Sequence, residues 1–434
     1  MIIQKNSSIP MYIQIYNQYK DAILSKTYPA YTKLLSIRQF GQKYSLSKTT
    51  VEKAYHQLQI EGYIQSQPKS GYYVLPIDTL PDTKKKTFKQ TPSKTPYKNL
   101  AQQGHHFDVT PLRRSFQTVL HDLNETLYSP PLSQGEPHLR QSINTHLKEE
   151  RGVVATDNQV LIASGLQNHL MTLASLISKR KIAYLIPLFD RAELALKTLH
   201  FTFVPCKTFD DLMQSDADFI YISPSNLYPS GDVLSINDRL KLIDYAKTNN
   251  ALIIEDDYNH IFRYNAFQIP SIQGLAKGDR VIYIGSFSRN LLLSMRTSYM
   301  VLPPDLLSLY QKSDQLAQTV SKIDQLALAN FIYEGNYHKH LRKLSSLSKK
   351  QNDRITTILD NLPLHKELTI SGLESNLHLL IHTKNIVLKT TLIDKAKTLD
   401  LYIKTFNDLP NTLLLPYSGL SDDEIEPILH ALLT

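Results

Sequence analysis

Residues 36–75 read SIRQFGQKYSLSKTTVEKAYHQLQIEGYIQSQPKSGYYVL. Ser36 precedes a short helical stretch that runs to Tyr44, placed so that its hydroxyl can cap the first backbone N–H groups. A Ser45-Leu46 turn follows. The next helix begins at Ser47, carries Val51, Ala54, Tyr55 and Leu58 on one face, and ends at Gly62. Two β-prone runs then flank Pro68-Lys69-Ser70-Gly71, the pattern of a hairpin. Just upstream, Met11, Ile15, Tyr19 and Ile23 recur at helical spacing. Three helices followed by a hairpin make a winged helix-turn-helix. Its third helix opens with Ser47, Lys48, Thr49 and Thr50, ahead of the apolar positions. That arrangement offers hydrogen-bond donors at the helix end that enters a major groove, while the rest of the helix stays in the core. Arg38 can reach a phosphate or a base edge. Lys69, Ser70 and Gly71 at the wing tip can touch the backbone or the minor groove.

The charge distribution agrees with this reading. The whole chain carries +8, but residues 1–75 hold nine Lys/Arg against three Asp/Glu, and residues 76–105 hold six Lys against two Asp. The other 329 residues are close to neutral, with 33 basic and 35 acidic groups. A basic head on a neutral body suits a polyanionic partner, and double-stranded DNA is the expected one.

Beyond the head the composition shifts. Residues 76–105, PIDTLPDTKKKTFKQTPSKTPYKNLAQQGH, are rich in Pro, Thr and Lys and lack an apolar period, which reads as an extended basic linker. From residue 106 onward, helical patterns alternate with short apolar runs: YLIP (184–187), DFIYIS (218–223), ALIIED (251–256) and RVIYIGS (280–286). Such runs suit strands buried on both faces of an open, parallel α/β sheet. From about Ser321 the pattern becomes a smaller α+β unit that closes with a helix over Asp422 to Leu433. The expected domains are therefore 1–75, 76–105 (linker), 106–320 and 321–434. The 434-residue length is too great for one ordinary core. One cysteine, Cys206, excludes a disulfide framework and a cysteine-based zinc site. No apolar run approaches the roughly 18 residues of a membrane span, and the N-terminal MIIQKNSSIP lacks the apolar centre of a signal peptide. A cytoplasmic protein with no membrane partner is the expectation.

The head resembles the winged-helix domain of the GntR family of bacterial transcription regulators. The resemblance is carried by Leu34-x-Ser36-x-Arg38, Leu46-Ser47-Lys48-Thr49-Thr50-Val51, Ala54-Tyr55, Leu58, Glu61-Gly62-Tyr63-Ile64 and Ser70-Gly71. It departs at Leu35, where the family usually has Pro, and at Lys48, where it usually has Arg. Lysine keeps the charge but loses bidentate reading of guanine. The body resembles a fold-type-I aminotransferase, and the combination resembles the MocR subgroup of GntR regulators. The motifs run in order: Gln134-Gly135-x-Pro137-x-Leu139-Arg140, Arg151-Gly152-Val153, Ser164-Gly165-Leu166-Gln167, Pro187-x-Phe189, Ser223-Pro224-Ser225, Tyr228-Pro229-Ser230-Gly231, Glu255-Asp256-Asp257-Tyr258, and Gly285-Ser286-Phe287-Ser288 with Arg296 beyond.

The resemblance implies a pyridoxal phosphate site. Backbone N–H groups at Gly165, Leu166 and Gln167 would cradle a phosphate, with Ser286, Ser288 and Arg296 completing the cup. Phe189 would stack on the ring, Asp256 would meet the ring nitrogen, and Tyr258 the ring oxygen. The pattern then breaks. Where the family has the lysine that links covalently to the cofactor, this chain has Arg289, a guanidinium that stays protonated and is no amine nucleophile. The family's His-Gln pair before Tyr-Pro is Asn226-Leu227, and Leu414 stands about where relatives carry an arginine for a substrate carboxylate. No catalytic residue and no metal site are expected. Two readings of the pocket stay open: non-covalent binding of pyridoxal phosphate or a related effector, helped by Arg289, or an empty pocket in a dimerisation scaffold. The function expected is operator binding by a homodimer with a non-catalytic body that senses a small molecule. The alternative is a pyridoxal-phosphate-dependent aminotransferase with a fused DNA-binding head.

Overall fold

The head folds as α1 (Met11–Leu24), α2 (Ile37–Tyr44), α3 (Lys48–Ile60) and an antiparallel hairpin of β1 (Ile64–Gln67) and β2 (Gly71–Val74), with Ile64 opposite Val74. These coordinates are a computed structural model that describes residues 9–68, 70–76, 107–122, 125–258, 260, 269–288, 290–313, 317–373 and 377–434. Each helix start follows from local chemistry. Ser36 and Gln39 form a reciprocal capping box at α2, and the Ser47 hydroxyl accepts the Thr50 N–H at α3. Ser45, at φ 51, turns the chain between the two helices through the left-handed region. The apolar faces of α1 and α3 meet in a core of Ile15, Tyr19, Ile23, Phe40, Val51, Ala54, Tyr55 and Leu58, closed by Ile64 and Val74 from the hairpin. Tyr19 and Tyr55 touch edge to face, and Tyr55 donates to the Leu35 carbonyl at 2.8 Å, so the buried hydroxyls are satisfied.

The chain divides into two units, Met1–Ser93 and Lys94–Thr434. The expected linker lies almost wholly outside the described residues. The second unit is built on a seven-stranded sheet of β3 (Val160–Ala163), β4 (Lys181–Leu185), β5 (Thr202–Cys206), β6 (Phe219–Ile222), β7 (Leu252–Asp256), β8 (Val281–Ser286) and β9 (Ser298–Val301), in the order β3-β9-β8-β7-β6-β4-β5. The four apolar runs singled out in the sequence become β4, β6, β7 and β8. The sheet read from the sequence as parallel is so from β5 through β4, β6 and β7 to β8. β9 is antiparallel to both of its neighbours, β3 and β8. The chain folds back over the short Ser286–Ser298 segment, too short for the helical crossover a parallel connection requires.

Apolar residues pack on both faces of this sheet. Leu170, Leu173, Ala192 and Leu196 cover part of it from two helices, Leu166–Leu176 and Asp190–Thr198. Leu242, Ile243 and Ala246 pack from the helix Ile236–Thr248. A smaller antiparallel sheet of β10 (Leu368–Ser371), β11 (His378–Thr383), β12 (Lys404–Thr405) and β13 (Thr412–Pro416) runs in the order β10-β11-β13-β12. The helices Asn336–Asn361, Ile386–Thr398 and Asp422–Leu433 share its core, which includes Leu379, Ile381, Leu413 and Leu415. The last helix has the bounds read from the sequence.

Candidate functional site

The start of α3 presents Lys48 and Thr49 to solvent, and Arg38 is exposed on α2. The structure also shows what else these residues do. Ser47 is spent on the helix cap, and its hydroxyl lies 2.7 Å from that of Thr50. Lys48 Nζ stands 3.3 Å from Glu52 one turn on, a solvent-exposed pair worth only a few tenths of a kcal/mol, about 0.3–0.5. Lys48 is therefore free to exchange this partner for a phosphate. Lys53 and His56 are exposed as well. With Thr49 they follow the i, i+4, i+7 spacing of one helix face, the signal by which they could have been found. At the wing, the Ser70 hydroxyl lies 2.7 Å from that of Tyr73, and Gly71 has φ +119, a conformation that favours glycine. Lys69 lies outside the described residues.

In the second unit, β3 ends in a glycine turn that starts the helix Leu166–Leu176. Gly165 is its N-cap at φ 83, ψ 170, a region essentially restricted to glycine, and no side chain caps this end. The Gly165 N–H donates to Ser298 Oγ at 2.8 Å. A Cβ on Gly165 would run into the Arg296 guanidinium. The helix start at Gly165, followed by the backbone of Leu166 and Gln167, and the Arg296 side chain are thus juxtaposed. Ser288 N–H donates to Ser286 Oγ at 3.2 Å, and the Ser288 hydroxyl donates to the Met295 carbonyl, next to Arg296 in the chain. Arg289 lies outside the described residues, so its place in the site rests on the sequence.

At the end of β7, Asp256 accepts a hydrogen bond from Tyr221 OH, a partner the sequence did not reveal. Tyr258 OH donates to Asn226 Oδ1 at 3.3 Å. Phe189 meets Tyr228 edge to face at 5.8 Å between centroids. Phe189, Tyr221, Tyr228 and Tyr258 all line one cavity of about 600 Å³ between the large sheet and the small one. From the small sheet, Lys404 donates to Asp190 Oδ1 at 2.5 Å and to Tyr228 OH at 2.7 Å, lying over the Tyr228 and Phe406 rings. Leu414 is buried with Leu380 and Phe406 and holds no charge there.

Behind the site lies a buried ionic network. Arg151 Nε meets Asp257 Oδ2 at 2.6 Å, Arg151 Nη2 donates to Ser225 Oγ at 2.8 Å, and Tyr283 OH donates to the same Asp257 oxygen at 2.6 Å. Burial, the largest single influence, raises the pKa of Asp257, but Arg151, His260 and the hydroxyls of Tyr283 and Ser225 together outweigh it and hold the carboxyl well below the usual range. Glu255 is the opposite case. Burial, followed by the neighbouring Asp257 charge, pushes it up to about 7, although its oxygens accept the Ile272 and Gln273 N–H groups at 2.8 and 2.9 Å. Of the adjacent acids Glu255-Asp256-Asp257, only Asp256 is turned toward a tyrosine that lines the cavity. The other two brace the strand end that carries it.

Comparison with known proteins bears on both units. Residues 11–74 match bacterial regulatory proteins of the gntR family, and residues 99–432 match the class I and II aminotransferases. The chain is 31% identical over 98% of its length to the HTH-type transcriptional regulator YdeL of Bacillus subtilis, of which 96% is covered. It is 28% identical to the rhizopine catabolism regulatory protein MocR of Rhizobium meliloti, over 80% of this chain and 76% of that one. In fold it is similar to a kynurenine aminotransferase of Pyrococcus horikoshii, with a TM-score of 0.68, 16% identity, and coverage of 77% of this chain and 88% of the other.

Proposed function

The chain belongs to the MocR-type GntR regulators, HTH-type transcriptional regulators with an aminotransferase-like domain, and from that premise we propose that it binds operator DNA through its head and reads a small molecule in its body without catalysis. The observation that carries the proposal is a cup without its nucleophile. Gly165 stands against Arg296, Ser288 bonds the Met295 carbonyl next to Arg296 in the chain, and Asp256 sits at a strand end bonded to Tyr221, which supports a pyridine phosphate site, while the chain has Arg289 where the resemblance expects the covalent lysine. The donor set fits pyridoxal phosphate: the Gly165–Gln167 helix start and Arg296 for the phosphate, Asp256 for the ring nitrogen, Phe189 for the ring face, Tyr258 and Asn226 for the ring oxygen. When bound in an enzyme, that cofactor supplies an electron sink. Here the residues bind and orient it, and Arg289 adds charge without the free amine that covalent chemistry requires. Close relatives named as transcriptional regulators agree with a non-enzyme. The proposal places the protein in the cytoplasm as a homodimer, with heads at 1–75, a linker at 76–105, and a body of 106–320 and 321–434. Paired heads then suit paired half-sites.

Two measurements test it. Pyridoxal phosphate is titrated into the full chain, followed by borohydride reduction and mass spectrometry. The expected result is binding with no trapped adduct; a stoichiometric adduct on any lysine refutes the non-covalent reading. For the head, an operator is selected from random-sequence duplex DNA and Arg38→Ala is measured by fluorescence anisotropy. Affinity should fall about tenfold, a loss of about 1.4 kcal/mol, with an unchanged unfolding midpoint because Arg38 is exposed. Undiminished affinity removes Arg38 from the DNA surface.

A further inference from the structure

The 600 Å³ cavity is larger than a pyridine ring needs, and most of its wall lies away from the phosphate cup. It shares Phe189, Tyr221 and Tyr258 with the ring site. It does not touch Gly165, Ser286, Ser288 or Arg296. From there it extends along the ends of β4, β5 and β6 and across to the small sheet, where Ser371, Leu380, His382 and Thr412 form its far wall. Its size falls in the range of small-molecule sites, roughly 300–1,000 Å³.

The chemistry of the wall narrows the occupant. The lining is mainly aliphatic and aromatic, including Leu185, Ile186, Phe209, Leu234 and Leu409. Its polar far end is internally satisfied: the Ser371 hydroxyl lies 2.7 Å from His382 Nε2, and the Thr412 hydroxyl lies 3.2 Å from His382 Nδ1. Burial lowers the pKa of His382, so this relay is neutral at neutral pH. Among the described lining residues, Lys207 is the one lysine or arginine, and no carboxylate is present. Lys404 is nearby but already engaged by Asp190 and Tyr228. Leu414, Leu380 and Phe406 form an apolar cluster where relatives would hold a substrate carboxylate, so an α-amino acid would have only Lys207 for its carboxylate and, among the described lining residues, no carboxylate for its ammonium.

We propose that this cavity is the effector site and that its occupant is an apolar-bodied monocarboxylic acid, aromatic or branched aliphatic, with its carboxylate at Lys207 and its body against the wall of the large and small sheets. The inference rests on the reading of the body as a sensor and names the class of molecule sensed. Because the wall is shared by two sheets, the occupant would bind the arrangement that brings both against it, which is the differential affinity a switch needs.

The test is calorimetric titration of the full chain with 4-phenylbutyrate, 4-methylpentanoate and indole-3-acetate, against 4-phenylbutylamine and L-alanine. At least one acid should bind saturably, the amine at least about tenfold more weakly, and L-alanine not at all. Lys207→Ala, a change at an exposed residue, should weaken the acid about tenfold. Leu409→Trp, which fills the cavity from a partly exposed position, should abolish binding. The proposal is overturned if none of the acids binds, if the amine binds as tightly, or if both variants keep wild-type affinity. Operator affinity measured with and without the acid isolates the effector role: an acid that binds without changing it overturns that role. The head's part in DNA binding is tested by Arg38→Ala and by the salt dependence of operator affinity, and the non-covalent ring site by the borohydride result, so each reading fails separately.

Discussion

Asp257 and Asp256 are neighbours in the chain and opposites in environment. Asp256 meets a tyrosine of the cavity wall, whereas Asp257 is buried against Arg151, Tyr283 and His260. Strand alternation accounts for the difference, because successive side chains leave a strand on opposite faces. The sequence offered both carboxylates, and the resemblance selected Asp256. The ionic role of Asp257 was not legible, since its partner lies 106 positions away. Removing one member of a buried ion pair leaves the other charge without compensation. Asp257→Asn should therefore cost about 3–5 kcal/mol in urea unfolding. A cost below about 1 kcal/mol would mean that the bonds Arg151 already makes to Ser225 and the Ile269 carbonyl suffice to hold its charge.

At the scale of elements, the helix Leu166–Leu176 depends on one glycine. Its start needs Gly165 at φ 83, ψ 170, and the space a Cβ would take is held by Arg296. Gly165→Ala should destabilise the body by about 1–3 kcal/mol through backbone strain. It should also abolish pyridoxal phosphate binding by displacing the guanidinium. Unchanged binding in calorimetry would show that the cup lies elsewhere. In the head, the cap at Ser36 was readable because capping acts within three residues, whereas Ser47, read as the first residue of its helix, proves to be its cap. The cap also limits the DNA reading of the sequence: a hydroxyl that closes its own helix is a weaker candidate for the groove than exposed Thr49, Lys53 and His56.

For the whole molecule, buried histidines contribute to the response to acid, among them His169, His146 and His260. Burial lowers the pKa of His169 from 6.5 to about 3; burial, with His260 and His338 adding to it, does the same for His146. The folded state refuses a proton that the unfolded state accepts. These groups cost no stability above pH 6.5, and stability falls as the pH drops from about 6.5 toward 3, by up to about 1.4 kcal/mol per pH unit for each histidine. Glu255 works against this: its folded pKa is raised to about 7, so stability grows as the pH falls from about 7 toward 4.5. Urea midpoints between pH 7 and 4 should therefore fall in the wild type and fall less steeply in His169→Gln. Equal slopes would exclude His169 as a source. Operator affinity should also decrease steeply with salt, since each phosphate contact releases counterions. A slope near zero would deny a basic head its role.

What was legible in the sequence was whatever is written locally or in chain order: the capped helices and hairpin of the head, the four buried strand runs, the closing helix, and the motif order that identifies the body. Periodicity and capping act over a few residues, so one chain states them directly. What only the tertiary structure decided is the reversed β9, the Tyr221–Asp256 and Arg151–Asp257 pairings, and the cavity closed by the small sheet. Each joins residues far apart in the chain, and their contact depends on how sheets and helices pack, which no local pattern records.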